Sequence, residues 1–176
     1  MKNFFKKTYI NLNNKQIFTL IVLLVAARLI PHPPNFTPIV AAAIISGAIF
    51  KNFYLAIFSL FVSMFISDLF LGFHNIIFYT YFALFAVVFV FSMKIQKINL
   101  KNTLIYGLIG SLIFFIISNF GVWITSELYS KDAKGLIECY YLAIPFFRNT
   151  LFSTILFSYL GMLTALTVSQ INFKTE

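Results

Sequence analysis

The sequence predicts an all-α, polytopic integral membrane bundle of six transmembrane helices, with an interfacial helix before the last span. Three observations carry that expectation. The first is composition: 60% of the 176 residues are hydrophobic and 10% charged, where an average globular domain carries about 25% charged residues, and the mean hydropathy is +0.91. The second is a succession of apolar runs close to the about 20 residues a helix needs to cross the hydrocarbon layer. The third is the placement of charge. Thirteen Lys and Arg oppose five Asp and Glu, a net +8, yet Lys2, Lys6, Lys7, Lys15, Lys94, Lys97, Lys101, Lys131 and Lys134 all fall outside the apolar runs. Loop lysines in so apolar a chain read as a topology signal. The pattern excludes a soluble enzyme domain, a disordered segment and a nucleic-acid-binding module. The single cysteine, Cys139, excludes an internal disulfide and a cysteine metal cluster.

The first run covers residues 16–30 and is closed by Pro31-His32-Pro33-Pro34, where missing backbone donors prevent helix continuation. The second, 36–50, is short and rich in small residues and stops at Lys51-Asn52. These two read either as two spans or as a tilted helix followed by a re-entrant segment. The third run, 53–71, ends at Gly72, and the fourth, 75–93, leads into a basic loop over 94–102. The fifth covers 103–126. Residues 132–144 read as an interfacial helix ended by Pro145, with Leu136, Tyr140 and Ala143 or Ile144 on one face and Glu138 on another. The sixth span is 149–168. The resulting organisation is a cytoplasmic basic segment (1–15), one transmembrane domain (16–170) and a cytoplasmic tail (171–176). A signal peptide is the competing reading of the first run, since Ala26-Ala27 supplies small residues; Arg28 and the apolar segment after it favour a retained helix.

Orientation follows from short-loop Lys and Arg. With the N-terminus inside, Lys2, Lys6, Lys7, Lys15, Lys51, Lys94, Lys97, Lys101 and Lys174 are cytoplasmic, against Arg28, Lys131, Lys134 and Arg148 outside. Both termini are then cytoplasmic, and the turns 31–35 and 72–75 and the stretch 127–148 face outward.

Polar residues gather at those outward ends. Asp68 is the only acid before Glu127, and a charge within a span costs about 2.5 to 3.5 kcal/mol on the insertion scale. By depth its partner is Arg28, with Arg148 a second candidate; snorkelling of either arginine to lipid phosphate competes. His32 and His74 with Asp68 lack any recognised metal-ligand spacing, so no metal site and no cofactor is expected. Trp123 reads as an interfacial anchor or as a stacking wall, with Asn119 one turn below it. Small residues at Ala42/Ser46, Ala43/Gly47 and Gly107/Ser111 permit close helix approach, within the bundle or against another subunit. No nucleophile-base pattern and no phosphate-binding loop is present, so an enzyme is not expected.

Four stretches carry a resemblance: Arg28-Leu-Ile-Pro-His-Pro-Pro-Asn-Phe-Thr-Pro-Ile39, Ser67-Asp-Leu-Phe-Leu-Gly-Phe-His74, Ser118-Asn-Phe-Gly-Val-Trp123 and Cys139-Tyr-Tyr-Leu-Ala-Ile-Pro-Phe-Phe-Arg-Asn-Thr150. They resemble an uncharacterised bacterial membrane family, domain of unknown function 6580, which carries a transport label; the likeness covers roughly residues 24 to 165. In span number and topology the chain is also similar to the substrate-binding S components of energy-coupling-factor vitamin transporters. That resemblance implies capture of a small nutrient at the outer face and docking onto a transmembrane coupling protein with ATPase subunits. The chain departs from S components in having only adjacent Ala26-Ala27 in the first helix, and it lacks the Met-His start of the nickel and cobalt members.

The sequence therefore points to a transport subunit of the bacterial cytoplasmic (inner) membrane. A small, partly polar solute is expected among Asn35, Asp68, His74, Asn119, Trp123, Glu138, Arg148 and Asn149, with Arg28 and Asp68 as a structural ion pair. The alternative is a non-transporting scaffold or assembly subunit, and a distant third is a membrane enzyme acting on a lipid or isoprenoid.

Overall fold

The computed structural model describes residues 13–50, 52–94 and 100–173. The expected basic segment up to residue 12, Lys51, the middle of the basic loop (95–99) and the tail from 174 lie outside the described residues. Those described are all-helical: α1 (Asn14–Leu29), α2 (Ile39–Ile49), α3 (Phe53–Leu71), α4 (Ile77–Lys94), α5 (Leu100–Thr125), α6 (Ala133–Leu142) and α7 (Ile144–Phe173).

Local chemistry sets the helix ends. Asn13 opens α1 with a capping box: its side chain accepts from the Gln16 backbone N–H at 2.9 Å, and Gln16 Oε1 accepts from the Asn13 N–H at 2.9 Å. Asn52 caps α3 by accepting from the Tyr54 and Leu55 N–H groups, and Asp132 caps α6 through the Gly135 N–H at 2.8 Å. Gly72 ends α3 at φ 89, a conformation that costs glycine little.

Two of the boundaries that differ from expectation do so because of proline. α2 starts at Ile39 rather than at residue 36, because Pro38 restricts Thr37 and the Phe36 N–H closes a turn onto Pro33 O at 2.9 Å. α7 starts at Ile144 rather than at 149. Pro145 sits in its first turn, where a helix needs no proline N–H, so this proline opens the last helix instead of only closing the one before it.

α2 is the centre of the bundle and packs against α3, α4, α5 and α7. With 11 residues it is about 16 Å long, and Ile39, Val40, Ala41, Ala43, Ile44, Ser46 and Ala48 are all buried. Apolarity all round a short helix is the mark of a core element. The close approach depends on Gly47: a Cβ there would lie 2.6 Å from the Val88 backbone oxygen of α4. The small residues of α2 are thus used inside the bundle, as are Gly107, against Ile155, and Gly110, against Ile44. Of the two readings of the Ala43/Gly47 stripe, packing within the bundle is the one this burial matches.

The core is apolar but also takes in hydroxyl side chains and one acid, and much of the surface is apolar as well. Ser59, Ser63, Ser67, Asp68, Ser111, Ser153 and Thr154 are buried, while Tyr54, Phe58, Phe65 and Leu69 on α3 and Leu104, Leu108, Leu112 and Ile116 on α5 are exposed. Among the described residues two helices, Phe53–Leu71 and Asn102–Thr125, are long and apolar enough to cross a membrane.

Candidate functional site

α1, α3 and α5 end, and α2, α4 and α7 begin, at one end of the bundle, where the Pro-rich turn, the turn after α3 and helix α6 meet. These elements enclose a cavity of about 420 Å³. Its floor is built from buried Ile39, Val40, Met64, Thr80, Leu84, Ser118, Cys139 and Thr150, and its rim from exposed His32, Asn35, His74 and Phe146.

One wall carries the only permanently charged side chain in the lining, Arg28. Its Nη2 lies 2.8 Å from Asp68 Oδ1, with side-chain exposures of 15% and 1%. Nη1 donates to Ser67 Oγ at 2.6 Å and also contacts Met64 O and Met64 Sδ at 3.3 and 3.1 Å. The second carboxylate oxygen of Asp68 accepts from the Tyr81 hydroxyl at 2.9 Å. The chain can hold a buried acid here because the ladder Ser59, Ser63, Ser67 on α3 offers small side chains that return their hydroxyls to their own helix and leave room for the guanidinium. At the rim His74 Nε2 lies 3.3 Å from Thr80 Oγ1. Partial desolvation at the cavity rim lowers the His74 pKa below the usual histidine value; the Asp68 charge opposes that shift and the Arg28 charge adds to it.

Of the residues singled out from sequence, Asn35, His74 and Asn119 line this cavity. Asn35 holds a left-handed backbone at φ 61, which asparagine tolerates. The amide of Asn119 donates back to Phe115 O at 2.8 Å, leaving its side-chain oxygen available.

The other five are placed elsewhere. Asp68 sits behind Arg28 and does not reach the lining. On α5 the lining residues are Phe114, Ser118, Asn119 and Val122, and Trp123 is not among them. Its indole N–H instead donates to Ser130 O at 2.9 Å, and the Lys131 ammonium donates to Trp123 O and Ser126 O. Trp123 is a clasp for the loop after α5, which corrects the stacking-wall reading. Glu138 is exposed because α6 turns Gly135 and Cys139 inward. Arg148 is exposed and makes no contact with Asp68: Phe146 and Thr150, two residues to either side, face the cavity, and two residues along a helix is about 200°. Asn149 donates to Pro34 O at 3.0 Å and pins the Pro-rich turn to α7.

Sequence reasoning missed Arg28 as a wall residue, along with the hydroxyls Thr80, Ser118 and Thr150. For Arg28 the signal was its depth, one turn from Pro31. For the hydroxyls nothing distinguishes cavity serines from packing serines in a one-dimensional pattern. Among the described residues no group of three His, Cys, Asp or Glu comes together as a metal site.

A family described as of unknown function (DUF6580) matches residues 9–174. The chain belongs to this family. In this family member the matched stretch encloses all seven helices and every residue of the cavity wall. No curated protein and no solved structure matches the chain.

Proposed function

We propose that this DUF6580 member is a multi-pass membrane transport subunit that binds a small nutrient of the vitamin or vitamin-precursor class from the outer face, in the manner of an S component. The observation that carries this reading is the cavity of about 420 Å³ at the end where the three polar turns converge, a size in the range of small-molecule sites, about 300 to 1,000 Å³. Its lining combines apolar Val40, Leu84, Phe114 and Val122 with polar groups at one wall, the floor and the rim, the mixture by which such sites bury and orient a ligand. The large apolar side chains exposed along α3 and α5 support a membrane setting, with α2 as a short buried helix among the six membrane segments.

The bundle lies in the bacterial cytoplasmic membrane with both termini inside. A transmembrane coupling protein with ATPase subunits is the partner on this reading, and binding rather than catalysis is the activity. Cysteine placed at Lys97 in a Cys139→Ser background is expected to resist impermeant reagents from outside; ready labelling overturns the orientation. The function is tested by thermal-shift screening of the purified full chain against nutrients and precursors. A ligand at 100 times its Kd is expected to add about 2.7 kcal/mol. A melting curve that no compound moves favours a scaffold or assembly subunit instead.

A further inference from the structure

On the solute-binding reading above, we infer that the cavity's ligand is an organic acid whose carboxylate is received by the free edge of Arg28. A guanidinium has five N–H donors in a fixed fork. In this chain the two on Nη1 are directed at Met64 and Ser67, and one on Nη2 at Asp68. The Nε hydrogen and the second Nη2 hydrogen have no protein partner among the described residues. They belong to a side chain that is 15% exposed and lines the cavity. Donors left this way at a concave, largely apolar wall require a partner that comes from outside the fold.

The charge pattern selects an acid over a neutral acceptor. The lining holds one permanent cation and two histidines and no carboxylate. Asp68 does not oppose an incoming anion through free lone pairs, because one oxygen is taken by Arg28 and the other by Tyr81, and the residue is 1% exposed. Asp68 therefore acts as a positioning residue. It fixes the guanidinium plane against α3 and leaves the outer edge as a preformed fork, which suits a carboxylate's two oxygens better than a single carbonyl. Val40, Leu84, Phe114 and Val122 of the lining fit an apolar body behind that headgroup, beside the hydroxyl side chains of Thr80, Ser118 and Thr150.

The test uses the full chain in detergent and matched acid and amide probes: nicotinate and nicotinamide, biotin and biotin amide, lipoate and lipoamide, together with neutral riboflavin and pyridoxine. At least one acid is expected to stabilise the protein and to bind about tenfold or more tighter than its amide, a difference of about 1.4 kcal/mol. Arg28→Lys keeps a cation beside Asp68 and removes the fork. It is expected to erase that preference while the amide's affinity stays within a factor of about three, under 1 kcal/mol. Should that variant fail to fold, Arg28→Gln with Asp68→Asn removes both charges together and is expected to give the same loss. Equal binding of acid and amide, or acid binding indifferent to these variants, overturns the inference. A response to riboflavin or pyridoxine alone overturns it while leaving solute binding intact, and silence across the whole panel counts against both.

Discussion

Arg28 and Asp68 lie 2.8 Å apart, one near the end of α1 and the other near the end of α3, and Tyr81 of α4 closes on the far carboxylate oxygen at 2.9 Å. Three helices are joined by one acid that has left water entirely. Removing one partner of a buried pair strands the other charge. Asp68→Asn is therefore expected to destabilise the fold by about 3 to 5 kcal/mol, and Tyr81→Phe by about 1 to 3 kcal/mol. A double-mutant cycle on unfolding in micelles should show coupling of Asp68 to Arg28 and none to Arg148, which is exposed on α7. Coupling to Arg148 contradicts the geometry.

Gly47 lets α2 lie against α4. Because the atom a Cβ would meet, at 2.6 Å, is the Val88 backbone oxygen, no side-chain rotation relieves the contact. Gly47→Ala is expected to cost about 1 to 3 kcal/mol, the range for overpacking, and Gly47→Val more. Gly72→Ala differs in kind: it meets nothing within 4 Å, and its cost comes from the positive φ alone. Melting temperatures of the three variants give the ranking.

Ser111, Thr154 and Ser158 hold buried side-chain oxygens without a hydrogen-bond partner among the described residues. A buried hydroxyl left unsatisfied costs about 1 to 3 kcal/mol. Thr154→Val, which keeps the shape, and Ser111→Ala are expected to be neutral or to stabilise by about 1 kcal/mol. A marked loss of stability in either variant means that the hydroxyl is bonded, for instance by an ordered water.

Partial desolvation lowers the His74 pKa, with the Asp68 charge opposing. The folded protein therefore takes up the His74 proton at lower pH than the unfolded chain does. The contribution is fully present above the unfolded value and is lost as pH falls from there through the depressed folded value. Stability should decline on acidification below about pH 6.5, the unperturbed histidine value, and His74→Gln should flatten that part of the profile. An unchanged profile in the variant assigns the pH dependence elsewhere.

Trp123 clasps Ser130 and lies beside Lys131 outside the cavity lining. Trp123→Phe is expected to leave solute affinity within a factor of about two, under 1 kcal/mol, while protease cleavage in the 126–132 loop becomes faster. An affinity loss without faster cleavage puts the indole in the site.

The sequence by itself determined where the chain is helical and where it turns. The third run, 53–71, coincides with α3 because an asparagine cap and a glycine stop bracket it, and Pro31 follows closely on the end of α1. It also brought Arg28 and Asp68 together by depth, since a lone acid in an apolar chain must find a cation, and it marked Asn35 and His74 by their place in turns and Asn119 as an amide within an apolar span. Which way each side chain faces was decided by tertiary structure. In a water-soluble helix the polar stripe marks the outside, but here Leu104, Leu108 and Leu112 are exposed and Ser111 is buried. Both sides of each helix are apolar, and periodicity cannot orient it. For that reason Trp123, Glu138, Arg148 and Asn149, all at the right depth, are not among the residues that line the cavity. Arg28, read from the sequence as half of a structural pair, became part of the cavity wall once α3 fixed Asp68 behind it and left its outer edge free.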